Sequence, residues 1–250
     1  MDKNSNKYTF FFAIAMVIVV AASLSFAATS LQPMQAENVR QEKMQDILKT
    51  FVGDSIMLDG EKVELTRAVA SQVYGNYVSQ QLTLNHKGDE KSGVDAFKVN
   101  LARELKKPVE EQVFPLYVAN YENETYYIVP LRGKGLWDAI WGYVALKEDI
   151  NTIKGVTFDH KGETAGLGAE ITTDWFKNSF NDEKVFNDKG ELVGVIVEKG
   201  YSKEEKGDNK VSSISGATIT GDGVTDMMQE RLNKYLPYFK TKKNSKLATR

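Results

Sequence analysis

The sequence predicts an α+β fold: a single N-terminal transmembrane helix, then a mixed domain of helices and antiparallel sheet. Three observations predict it. The run Phe10 to Ala28, FFFAIAMVIVVAASLSFAA, carries no charge. From Gln112 onward, apolar residues fall into short paired runs separated by polar turns. Helical patterns are interspersed among those runs without the strict strand–helix alternation of a parallel sheet.

The apolar run is 19 residues long. At about 1.5 Å per residue it spans roughly 28 Å, the hydrocarbon thickness of a bilayer. A cleaved signal peptide is the alternative, with Ser25-Phe26-Ala27 as a small-x-small cleavage site. The run exceeds the usual signal core of about 7–15 residues, which favours an uncleaved anchor. Lys3 and Lys7 precede the run and the next positive charge is Arg40. The positive-inside rule keeps residues 1–9 cytoplasmic and exports the chain beyond Ala28.

Past the anchor, Val39, Met44, Ile47, Leu48 and Phe51 recur at helical spacing, so 37–51 predicts a helix leading away from the membrane. Residues 52–93 hold Gly, Asp and Lys clusters and room for a strand or two, and 86–93 reads as an exposed loop. Val113–Asn120 and Thr125–Leu131 flank the polar Tyr121-Glu122-Asn123-Glu124, a hairpin signal. Ala139–Leu146 and Ile153–Asp159 form a second pair. Thr173–Phe180 predicts a helix and Leu192–Glu198 a strand. Val224, Met227, Met228, Leu232, Tyr235 and Leu236 form an apolar stripe that predicts a helix ending at Pro237. The tail from Lys240 is basic and predicts a solvated, flexible end.

Composition narrows the chemistry. With 42% hydrophobic and 26% charged residues, the 250-residue chain can bury a sizeable core. A net charge of -2 argues against nucleic-acid binding. Cysteine is absent, which excludes disulfides, thiol catalysis, iron–sulfur clusters and cysteine-ligated zinc. His86 and His160 are the two histidines, too few for a histidine-rich metal site. No metal is expected.

Three glycine-bearing segments carry the candidate chemistry. In Ser215-Gly216-Ala217-Thr218, small residues precede a threonine hydroxyl shortly before the last helix. Unpaired amides and the positive dipole end of a helix start form a natural phosphate seat, pointing to a phosphate held at, or bonded to, Thr218. From spacing alone the commoner reading is that Ser215, Thr218 and Thr220 are turn and capping residues. In Glu163-Thr164-Ala165-Gly166-Leu167-Gly168, the glycines indicate tight backbone displaying Leu167 on a loop that can cover a flat ring. In Arg132-Gly133-Lys134-Gly135-Leu136-Trp137, a turn lies beside two cations. Trp137 and Trp141 both read as strand-borne core residues on one face.

In that order, Gly135-Leu136-Trp137, Glu163–Gly168 and Ser215-Gly216-Ala217-Thr218 resemble the covalent FMN-binding domain family over roughly residues 100–236. With the anchor included, the whole chain is similar to the C-subunit family of the Na+-translocating NADH:quinone reductases. Two positions depart from the family pattern: Ser212 stands where an acidic residue is usual, and Ala165 where proline is usual.

The resemblance implies residues 10–28 as the transmembrane helix, 29–99 as a periplasmic membrane-proximal helical region, 100–238 as the FMN-binding domain and 239–250 as the flexible tail. It implies a flavin transferase that cleaves FAD and joins FMN by its phosphate to Thr218. Ser215, Gly216 and Ala217 would give access, and Thr164, Gly166, Leu167, Gly168, Leu136 and Trp137 would meet the ring. Arg132 or Lys134 is a candidate for stabilising reduced flavin. The implied role is an electron carrier in the inner membrane, its flavin domain on the periplasmic side. It works among the other membrane subunits of a complex that couples NADH oxidation and ubiquinone or menaquinone reduction to sodium transport. No catalytic residue is implied within the chain itself.

Three alternatives stay open on sequence: the flavin-carrying G subunit of the Rnf ferredoxin:NAD complex, a membrane-anchored scaffold with a vestigial flavin site, and a hydrolase using Glu163 or Glu170 with His160. The last lacks a recognisable nucleophile constellation.

Overall fold

The period-two pattern after Gln112 builds the centre of the molecule. In the computed structural model, which describes residues 5–58, 60–201 and 208–248 with side chains to residue 242, five antiparallel strands form one meander. They are β3 (Val78–Leu84), β4 (Phe114–Tyr121), β5 (Glu124–Lys134), β6 (Ala139–Leu146) and β7 (Ile153–His160), in spatial order β3-β4-β5-β6-β7. Preceding them, β1 (Ser55–Leu58) and β2 (Glu61–Glu64) pair as a separate hairpin. The sheet therefore begins with a strand at Val78, well before the first paired runs the sequence makes visible. The β4–β5 turn is the expected one. Glu122 and Asn123 have φ of 51° and 64°, the left-handed pair that suits a two-residue hairpin.

Alternation sends the strands' side chains to two cores. Leu116, Val118, Val129, Leu131, Val144 and Phe158 face one, with helix α5 (Thr218–Ala248), α4 (Asp174–Asn178) and the short parallel pair β8 (Ile196–Glu198) and β9 (Lys210–Ser212). Tyr117, Ala119, Tyr126, Ile128, Tyr143 and Ala145 face the other, with α2 (Arg67–Tyr77) and the last turns of α1 (Asn6–Val52). An antiparallel sheet often leaves one face wet; this one covers both. Pro130 lacks a donor for a ladder, and β4–β5 pairing stops at Tyr117 and Ile128, just short of it.

The chain divides into two units, Met1–Glu42 and Lys43–Arg250. In the first, Phe10, Phe12, Val17 and Leu24 stand exposed around α1. Among the described residues, α1 is the one helix long and apolar enough to cross a membrane. In the second unit, Met44, Ile47, Leu48 and Phe51, at the end of α1, are buried in the core with Tyr126.

Four local expectations are corrected. Helix α5 starts at Thr218 itself and runs through Pro237 instead of ending there. The proline removes one backbone bond, but Tyr238 and Phe239 are buried beyond it, and Phe239 packs edge-on to Tyr127 with ring centroids 5.8 Å apart. The backbone expected to be a flexible tail is thus helical to Ala248; its side chains from residue 243, and residues 249–250, lie outside the described residues. The strand expected over 192–198 is reduced to β8, because Gly194 turns with φ +67° where the chain meets the backbone of α5 at Gln229. Trp137 is not strand-borne: it lies in the β5–β6 turn, 67% exposed. Trp141 does lie on β6, opposite Arg132.

Candidate functional site

Sheet register brings the three glycine-bearing segments together at one end of the sheet. The β5–β6 turn, residues 135–138, is closed by Gly135 N–H donating to Asp138 O at 2.8 Å. The loop after β7 carries Glu163 to Gly168. Thr164 O accepts from Leu167 N and Ala169 N, both at 3.1 Å, and the Trp137 indole N–H donates to Thr164 Oγ1 at 3.2 Å. The third segment enters α5. Gly216 adopts φ +76°, and a Cβ there would stand 2.8 Å from Leu167 Cδ2, so the two loops touch backbone to side chain.

Thr218 is the first residue of α5. The first helical bond runs from Gly221 N to Ala217 O at 2.9 Å. The amides of residues 218–220 therefore open the helix, where the dipole favours an anion. Ser215, Gly216 and Thr218 are exposed at least in part, while Ala217 and Thr220 are buried. A cleft of about 330 Å³ opens beside Thr218, with Lys199, Lys210, Ser213 and Asp222 on its walls. Around the converged loops four apolar side chains stand out: Leu136 at 43% exposure, Trp137 at 67%, Leu167 at 40% and Ile219 at 58%. A soluble surface does not usually display such a group without something to cover it.

Beneath them lies Glu163, buried at 7% exposure. Its Oε1 accepts from Trp137 N at 3.0 Å and its Oε2 from the Thr220 hydroxyl at 2.6 Å. Burial pushes this carboxyl up. The hydrogen bonds from Thr220 and from the amides of Trp137, Leu136 and Asp138 outweigh burial and hold it below the ordinary carboxylate value. The Glu163 amide donates to His160 Nδ1 at 3.1 Å, so His160 is a structural acceptor at the end of β7. The Thr220 hydroxyl bonded to Glu163 is buried and so offers no accessible nucleophile there; Glu170 accepts from Gly166 N at 3.2 Å.

The structure thus gathers Leu136, Trp137, Thr164, Gly166, Leu167, Gly168, Ser215, Gly216, Ala217 and Thr218. It does not gather Arg132. Strand alternation puts Arg132 on the sheet face opposite α5, with its guanidinium 6.0 Å from the centroid of Trp141; Lys134 follows the same alternation and is exposed at the end of β5. Ser212 lies on β9 and donates to Tyr201 O at 2.6 Å. Sequence reasoning undervalued Glu163 and Thr220. The available signal was the pair Gly135 and Gly168. A Cβ on the first would stand 2.5 Å from Glu163 Oε1, and one on the second 2.5 Å from Thr220 Oγ1.

Known proteins share both the segments and the fold. The FMN-binding domain model matches residues 135–233, the span from the β5–β6 turn into α5. The C subunit of the Na(+)-translocating NADH-quinone reductase from Pasteurella multocida is 30% identical, over 86% of this chain and 83% of its own. The protein of the same name from Haemophilus ducreyi is 29% identical, over 89% and 88%. A crystal structure of its counterpart from Parabacteroides distasonis superposes with a TM-score of 0.72 at 34% identity, covering 83% of this chain and 96% of the other. Shewanella oneidensis NqrC, 24% identical with a TM-score of 0.67, shares the fold.

Proposed function

This chain belongs to the C-subunit family of the Na+-translocating NADH-quinone reductase, and from that premise we propose that it carries electrons through FMN esterified to Thr218. Membership makes it a flavin-carrying subunit of a multi-subunit oxidoreductase. The attachment, the seating of the ring and the membrane placement are our reading.

The residues present fit that cofactor. FMN joined through its phosphate needs a seat for a singly charged phosphodiester, a hydroxyl to bond to, and an apolar platform for a flat ring. Thr218 offers an exposed hydroxyl at the first residue of α5, beside the amides that open the helix. Leu136, Trp137, Leu167 and Ile219 offer the platform. Bound FMN supplies reversible electron uptake; the chain's residues hold it, orient it and limit its contact with water. Ser215 and Gly216 stay accessible, leaving room for a flavin transferase to move the FMN moiety of FAD onto Oγ1, breaking the pyrophosphate bond with AMP as the leaving group and loss of the hydroxyl proton. An ester bond prevents loss of the cofactor by dissociation, which suits a relay between other subunits of the complex. Helix α1 would anchor the chain in the inner membrane, with the flavin domain on the periplasmic side.

The observation that carries this reading is the exposed Thr218 at a helix start, on the same converged loops that display four apolar side chains. The test is a denaturing gel viewed under ultraviolet light after co-expression with the transferase, with mass spectrometry of the Thr218 peptide. A fluorescent band that disappears in Thr218→Ala, and a peptide heavier by one FMN phosphoryl adduct, are expected. An unmodified Thr218 peptide in the mature protein refutes the attachment. A reporter that is active only outside the cytoplasm, fused after Arg250, tests the placement.

A further inference from the structure

We propose that Glu163 is the positioning residue of the flavin acceptor: its carboxylate locks Thr220 inward, which turns the Thr218 hydroxyl outward, and the same group fixes the turn that faces it. This rests on the reading that Thr218 accepts the flavin.

A buried carboxylate is expensive unless every lone pair is used. Here the donors come from two separate elements: the Thr220 hydroxyl from the first turn of α5, and the Trp137 amide from the β5–β6 turn. Its own amide is tied to His160 at the end of β7. The carboxylate therefore fastens its own loop to two segments that are distant in sequence. Space is reserved for it, since Gly135 and Gly168 lack the Cβ atoms that would crowd its two oxygens. Packing alone would be served by an apolar side chain. A carboxylate with donors from two elements instead fixes direction as well as distance.

The helical period then transmits that direction. Thr220 lies two residues after Thr218, about 200° around the helix. Holding Thr220 against Glu163 rotates α5 so that Thr218 faces away from the core, and burial agrees: Thr220 is 1% exposed while Thr218 is exposed. Loss of the Thr220–Glu163 bond frees the first turn to rotate or fray, and the hydroxyl is then presented to the transferase less often.

The test uses the full-length chain in detergent, the purified flavin transferase and FAD. Covalent flavin per chain is followed by mass spectrometry, and amide exchange is read at residues 136–138. Thr220→Val, which keeps shape and loses the hydroxyl, is expected to slow attachment about tenfold, the factor that roughly 1.4 kcal/mol produces. Thr220→Ser, which keeps the donor, is expected within about twofold of the unchanged protein. Glu163→Gln is expected to slow attachment and to speed exchange at 136–138. Thr220→Val matching the unchanged protein, or Thr220→Ser as slow as Thr220→Val, overturns the proposal. Should the unchanged chain take up no flavin, the Thr218 reading fails by itself. Exchange then decides the anchor: Glu163→Gln leaving 136–138 as protected as before overturns it.

Discussion

Gly133→Ala tests whether α5 is pressed against β5 as described. Gly133 lies on β5, and a Cβ there would come within 2.7 Å of Met227 Cβ and 3.1 Å of Met227 Cγ. Carbon atoms settle at about 3.5–4.0 Å, so roughly 1 Å must be found. Met227 Cβ is fixed by the helix backbone and cannot rotate away, so α5 itself must shift. Overpacking of this kind costs about 1–3 kcal/mol. Replacing glycine in a strand returns about 0.5–1 kcal/mol, leaving a net loss of about 1.25 kcal/mol at the middle of the two ranges. For 150–250 residues each kcal/mol moves Tm by about 2–4 °C, so a fall of about 2–5 °C is expected. The assay is thermal unfolding of the purified full-length chain, followed by circular dichroism. An unchanged or higher Tm would mean that the helix is not seated there, and the geometry of Thr218 beside the β5–β6 turn would lose its support.

Other outcomes rest on the same contacts. Gly75 is exposed in α2 with nothing within 4 Å of a new Cβ, so Gly75→Ala should raise stability by about 0.5–1 kcal/mol in the same melt. Thr218→Ser keeps a hydroxyl at the helix start and should retain covalent flavin, read as in-gel fluorescence, where Thr218→Ala loses it. The folded pKa of Glu163 lies below its unfolded value. Its stabilising effect is therefore full above about pH 4.3 and is lost as pH falls through the folded value. The unchanged protein should lose more Tm on acidification below about pH 4.3 than Glu163→Gln does; equal slopes would count against a buried anion.

Much of the fold is legible in the residues. The hairpin Phe114–Lys134 declares itself because alternation and the Glu122-Asn123 turn are local properties. The three-segment cluster was legible only as a set, since each glycine stretch alone also reads as an ordinary turn. What escaped depends on tertiary contact. Strand β3 was hidden because Gln80 and Gln81 lie on its exposed stretch. Helix α5 outruns Pro237 because burial of Tyr238 and Phe239 outweighs a lost backbone bond. Arg132 looked close to the site in sequence, yet one step of strand alternation put it on the far face. Glu163 stood in the sequence as one member of a glycine-bearing segment and as a candidate hydrolase residue, and only the donors arriving from α5 and the β5–β6 turn show what it holds.

The last turns of α1 have a practical consequence for anyone wishing to cut the flavin domain free of its anchor. Met44, Ile47, Leu48 and Phe51 fill one of the two cores, and Phe51 stacks on Tyr126 of β5 at 5.7 Å between centroids. Trimming to residue 100, the flavin-domain boundary expected from the sequence, discards these plugs together with an outer strand and strips one side of the sheet to water. A water-soluble fragment should start ahead of Lys43, so that the severed helix keeps its foot in the domain.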